Sequence, residues 1–168
     1  MTRSLVSLLL ASTAALLPAV HAKDRLATVA EPAPPPAVAR YVMGTRLGYI
    51  TCGGRYRTFL ERRDLYELVS DDGIATPRRL EPPSIEETTA CIHETAYKAQ
   101  GLREAAAKFA TTPAAKTALR EYATAWEASL RSLESKQPES PREFEARLRK
   151  QESRLDELQR RLETAAAR

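Results

Sequence analysis

The sequence predicts a mostly α, four-helix bundle-like domain behind a proline-rich leader, and three observations point there. Apolar residues recur in threes and fours along several long stretches. Capping residues and prolines punctuate those stretches. The only two cysteines, Cys52 and Cys91, fall in the first and second of those stretches, where one bridge can join the first helix to the second.

The first 22 residues read as a secretory signal, with Arg3 as a positive start, an apolar run from Leu5 to Leu17, and Val20-His21-Ala22 as a small-residue cleavage site. The run is shorter than the ~20 apolar residues that a membrane span needs, and Lys23 and Asp24 follow it at once. Removal of this segment leaves Lys23 to Arg168, enough for one domain with a modest core. Residues 23–37 contain EPAPPPA, whose prolines predict an extended, disordered leader. Residues 38–168 then form a single helical domain, with helices expected at about 38–69, 84–110, 113–135 and 141–167.

In the first of these helices, Val38, Val42, Thr45, Tyr49, Cys52, Tyr56 and Phe59 share one stripe. Gly48, Gly53 and Gly54 count against a helix, at about 1 kcal/mol each relative to alanine. The alternative is an α+β fold with a small hairpin at 47–60, turning at Gly53-Gly54. If the helix holds, its glycines serve a kink or the close approach of a neighbouring backbone. Ser70 to Gly73 ends it, a second small hairpin can turn across Asp72-Gly73, and Pro77, Pro82 and Pro83 keep the following stretch a loop.

Ser84 and Glu87 have the spacing of a capping box. The helix they open carries Ile85, Thr88, Ile92, Thr95, Ala99, Leu102, Ala106 and Phe109, with small residues near Thr95 for a close neighbour. Thr112-Pro113 supplies a cap and a first-turn proline for a third helix with Leu119, Tyr122, Trp126, Leu130 and Leu133 on its stripe. The short connection makes the second and third helices antiparallel. Ser140-Pro141 with Glu143 restarts the chain after Gln137-Pro138-Glu139. The last helix bears a narrow seam of Phe144, Leu148, Gln151, Leu155, Leu158, Leu162 and Ala165. Its charges can pair i,i+4: Glu143/Arg147, Glu145/Arg149, Asp156/Arg160 and Glu157/Arg161. That seam either closes the bundle or pairs with a second chain in a coiled-coil homo-oligomer.

Two cysteines in an exported chain favour the Cys52–Cys91 disulfide, worth about 4 kcal/mol by loop closure. Catalytic chemistry is thin. His93 is the single histidine after the leader, and His93-Glu94-Thr95-Ala96-Tyr97 misses the H-E-x-x-H zinc motif at Tyr97. No enzyme, metal or cofactor is predicted. A haem or copper site from His93 and Met43 is the one cofactor alternative, as part of a small-ligand-binding bundle.

The local charge excess lies in Arg40, Arg46, Arg55, Arg57, Arg62 and Arg63, interleaved with Tyr41, Tyr49 and Tyr56. This mixture predicts an interaction surface for acidic groups, and an enzyme inhibitor using the 40–66 segment is a further alternative. The modest net charge of +4 disfavours nucleic acid as the target. The expectation is therefore an exported, periplasmic or secreted interaction or structural protein of the cell envelope. Its partner would be another protein or an acidic envelope component.

Overall fold

The computed structural model describes residues 33–71, 82–134 and 139–168. The expected signal segment, the leader through residue 32, and the turn and loop at 72–81 lie outside the described residues. Four helices account for most of the rest: α1 (Pro36–Asp71), α2 (Glu86–Ala107), α3 (Pro113–Arg131) and α4 (Pro141–Ala166), with a 3₁₀ turn at Ser132–Glu134 extending α3.

The hairpin at 47–60 does not form, because α1 runs unbroken through all four of its glycines. It also begins at Pro36, inside the expected leader. Proline has no N–H to lose in a first helical turn, and the Pro35 carbonyl accepts from Val38 and Ala39 at 2.9 and 3.1 Å. At ~1.5 Å per residue α1 is about 54 Å long, against about 33, 28 and 39 Å for α2, α3 and α4. None of its residues from Glu61 to Ser70 is fully buried, so its last turns overhang the bundle.

Every neighbouring pair of helices is antiparallel. Cys52 meets Cys91 while Gly44 meets Leu102; Arg103 meets Glu127; Glu121 meets Arg161; and Arg46 meets Asp156 while Arg57 meets Glu145. Among the described residues α2 and α4 do not touch, so they occupy opposite corners of an up-down-up-down bundle. The core between them holds Tyr41, Tyr49, Tyr56, Tyr122, Trp126, Phe144 and the leucines 60, 130, 133, 155 and 162.

Close packing of α1 on α2 explains two of the glycines. A Cβ at Gly44 would lie 2.6 Å from Leu102 Cδ1, and one at Gly48 would overlap Thr95 Cγ2. Gly53 instead faces α4, where an added Cβ would make ordinary contact with Leu148 and Phe144. At this approach Cys52 and Cys91 bond, with Cα atoms 5.6 Å apart and the Thr95 hydroxyl 3.4 Å from the Cys52 sulfur. A disulfide sulfur has no proton, so Thr95 is the donor.

The caps divide. Thr112 accepts from the Ala115 N–H ahead of Pro113, and Ser140 and Glu143 make the full capping box. At α2 the expected box is absent. The Ser84 hydroxyl accepts from Glu86 at 3.1 Å, one residue short of Glu87, and Ile85 takes the cap position while packing on the core. α2 also ends at Ala107, which leaves Phe109 half in solvent and puts Ala110 in the core in its place.

The α4 seam closes the bundle: Phe144, Leu155, Leu158 and Leu162 are buried and Leu148 is half-buried against them. Of the expected i,i+4 pairs, Glu145–Arg149 is present, at 3.9 Å. Arg147 turns back to Glu139, Asp156 takes Arg46 of α1 at 2.7 Å, and Arg161 takes Glu121 of α3 at 2.7 Å. These charges link helices because each sits at the edge of the seam, within reach of the next helix.

Two outcomes follow from the α1–α2 contact. Replacing both cysteines by alanine should lower unfolding stability by about 2–4 kcal/mol, measured by urea titration without reductant. Gly48→Ala should cost about 1–3 kcal/mol despite alanine's better helix propensity, and adding Thr95→Ser, which deletes the crowding methyl, should recover most of it.

Candidate functional site

The sequence assigned an interaction surface to nine arginines and tyrosines of α1, and the structure separates them. Tyr49 and Tyr56 are buried, as is Tyr41, so the tyrosines belong to the core and not to the surface. They lie on the Val38–Val42–Cys52 stripe, whose periodicity outweighs their polar tips. Arg46 pairs with Asp156 and reaches the Glu152 carbonyl at 3.4 Å; Arg57 bridges Glu61 and Glu145; Arg63 holds Asp64 and the Glu139 carbonyl at 2.8 Å each. Arg55 donates to the Glu87 carbonyl of α2 at 3.3 Å, and Arg40 to the Pro36 carbonyl at 3.4 Å. Half of the arginines thus fasten α1 to α2 or α4, and Arg63 ties it to the residues just before α4. Arg62 is exposed and takes part in no ion pair among the described residues.

Two buried polar chains replace the expected surface. In the first, Thr45 lies 2.8 and 2.9 Å from the Tyr41 and Val42 carbonyls and 2.9 Å from the Tyr122 hydroxyl. Carbonyls only accept, so the Thr45 proton goes to them and Tyr122 donates to Thr45. Trp126 Nε1 donates to the Thr45 carbonyl at 2.8 Å, which doubles the tie between α1 and α3.

In the second chain, Tyr49 donates to Gln151 Oε1 at 2.5 Å, and Gln151 donates to Ser132 Oγ at 3.0 Å. Ser132 also receives Arg147 at 2.6 Å, while Arg147 pairs with Glu139 and stacks 5.4 Å from the Phe144 ring centre. A glutamine within the seam is accounted for: it satisfies a buried phenol and fixes the register of α4 against α1.

The candidate chemistry around His93 does not assemble into a site either. His93 is exposed on α2, Tyr97 points to solvent, and Glu94 pairs with Lys98 at 2.6 Å, whose hydrogen bond and charge hold the carboxyl below its usual range. Met43 is exposed on α1 and does not border the cleft that His93 lines, so the two make no common site. Among the described residues no group of three or more His, Cys, Asp or Glu side chains is arranged to hold a metal ion, and no helix is long and apolar enough to cross a membrane.

Two features outside this packing stand out. One is a cleft of about 640 Å³ between α2 and α3, floored by Tyr41, Ile92, Ala99 and Trp126 and rimmed by charged side chains. The other is the outer face of α1. Met43, Leu47 and Ile50 are 67, 64 and 52 % exposed, and Leu65 and Leu68 continue the line at 53 and 63 %. These positions step by threes and fours through Gly54 and Glu61, opposite the buried stripe. In the sequence this second stripe, at the same spacing as the buried one, leaves α1 with no single apolar face.

No family model matches the chain, and no curated protein or solved structure matches it.

Burial raises the tyrosine pKa values, to about 12 for Tyr49 and Tyr56 and upward also for Tyr41 and Tyr122. A phenol that ionises at about 10 when unfolded favours the unfolded chain above that pH. The stability these groups confer should be complete below pH ~10 and fall as pH rises through 12. Helicity should be lost in a single cooperative alkaline transition in that window, together with a step in tyrosinate absorbance from the four buried phenols. Independent titration with helicity unchanged would contradict it.

Proposed function

We propose that the protein is an exported, non-enzymatic interaction protein of the cell envelope that pairs with a second copy of itself through the outer face of α1. The observation that carries this reading is the exposed apolar stripe Met43–Leu47–Ile50 and Leu65–Leu68. Export is supported by the leader-like first 22 residues and by the Cys52–Cys91 bond, which suits an oxidising compartment. A role outside catalysis is favoured by the dispersal of His93, Glu94 and Tyr97.

A second copy is favoured because the stripe complements itself. Laid antiparallel about a two-fold axis between Gly54 and Arg57, Met43 of one copy faces Leu68 of the other, Leu47 faces Leu65, and Ile50 faces Glu61 beside its Arg57 partner. Gly54 falls at the crossing point. A Cβ there would meet nothing within 4 Å, so no contact within the chain accounts for this glycine, whereas a crossing helix would use the space. The α4 seam, buried within the chain, is a poorer means of self-association.

The stripe is about 38 Å long and one helix wide, at the small end of specific interfaces, so the dimer should be reversible with Kd of roughly micromolar order. Sedimentation velocity across a concentration series should show monomer converting to dimer. Leu47→Glu and Gly54→Leu should each leave monomer, while Leu158, within the α4 seam, has no part in it. A wild-type chain that stays monomeric at several hundred micromolar, roughly a hundred times that Kd, would overturn the reading.

A further inference from the structure

We propose that the cleft between α2 and α3 is a binding site for a neutral, largely apolar small molecule that presents one carbonyl or hydroxyl oxygen to Tyr41. At about 640 Å³ the cleft has the size of ordinary small-molecule sites. It lies where α2 offers alanines, Ala96 and Ala99, toward α3, so the two helices leave a trough floored by Ile92 of α2 and Trp126 of α3.

The polar group at its base is Tyr41. The residue is 1 % exposed and lines the cleft, yet its hydroxyl makes no hydrogen bond to any described residue. It is not an enclosed, unsatisfied atom either, so its oxygen opens on the cleft. Every other buried phenol is occupied: Tyr122 with Thr45, Tyr49 with Gln151, and Tyr56 with Glu139. Burial pushes the Tyr41 phenol well above its usual range, which keeps it a neutral donor. A donor facing an apolar trough selects an acceptor oxygen.

The rim decides the ligand's charge. Arg103 and Glu127 pair across the cleft at 3.1 Å, and Arg131 pairs with the second Glu127 oxygen at 3.4 Å. A charged ligand would have to break these pairs, whereas a neutral one slides beneath them and is covered. The site is distinct from the α1 outer face, since Tyr41 and Met43 lie on opposite sides of the helix.

Trp126, the only tryptophan in the chain, lines the cleft and reports on it directly. The test uses two neutral naphthalene probes that accept energy from tryptophan: prodan, which carries a ketone, and N-phenyl-1-naphthylamine, which has no acceptor oxygen. Both should quench Trp126 saturably, with prodan the tighter. Tyr41→Phe should weaken prodan about tenfold and leave the naphthylamine unchanged. Ala96→Phe, which fills the cleft from an exposed position, should weaken both at least tenfold, and Leu47→Glu should weaken neither. Circular dichroism confirms that the variants are folded. No saturable quenching in the wild type, equal loss of both probes in Tyr41→Phe, or prodan binding indifferent to Tyr41→Phe or Ala96→Phe would each overturn the assignment.

Discussion

Everything in this molecule depends on how closely α2 can approach α1. With glycine at 44 and 48 the α1 backbone itself becomes the packing surface, and Thr95 and Leu102 rest on it. At that separation Cys52 and Cys91 fall within bonding reach, and the covalent bond then holds a contact that packing alone had made. Glycine inside a helix costs about 1 kcal/mol per position. The gain is a helix pair tight enough to set the spacing for the other two.

From this pair the remaining corners follow. α1 turns its tyrosine and leucine stripe toward α3 and α4, and the polar edge of that stripe is satisfied in two places, at Thr45 with Tyr122 and Trp126 and at Tyr49 with Gln151. Such interior hydrogen bonds add little net stability each, but an alternative register would leave the donors unpaired, which costs more. They therefore specify one arrangement of helices that apolar residues alone would hold less definitely. The arginines of α1 do similar work at the margins, reaching Asp156 and Glu145 on one side and the Glu87 carbonyl on the other.

Much of this was legible from local chemistry. The caps at Thr112 and Ser140 are set by residues within four positions of each other, and the stripes of α3 and α4 by spacing alone. Ser84 failed as a box because Ile85, packed on the core, occupies the cap position, a tertiary demand that spacing does not display. Tyr49 and Tyr56 show a different fault. Their place on the apolar stripe indicated burial, while the surrounding arginines suggested a surface, and periodicity proved the better guide. The cleft and the Tyr41 hydroxyl within it had no sequence signal, since a gap between helices depends on what the opposite helix fails to supply.

The Cys52–Cys91 bond also orders how the molecule comes apart. It makes residues 52 to 91 a covalent ring, so α1 and α2 stay neighbours even when their side chains lose register. α4 has no such restraint: it is held by a leucine seam, one half-buried glutamine and ion pairs at the margins. Local opening that separates α3 and α4 from the rest therefore leaves α1 and α2 joined. Amide exchange would read this as greater protection around the Cys52–Cys91 junction than along the outer turns of α4.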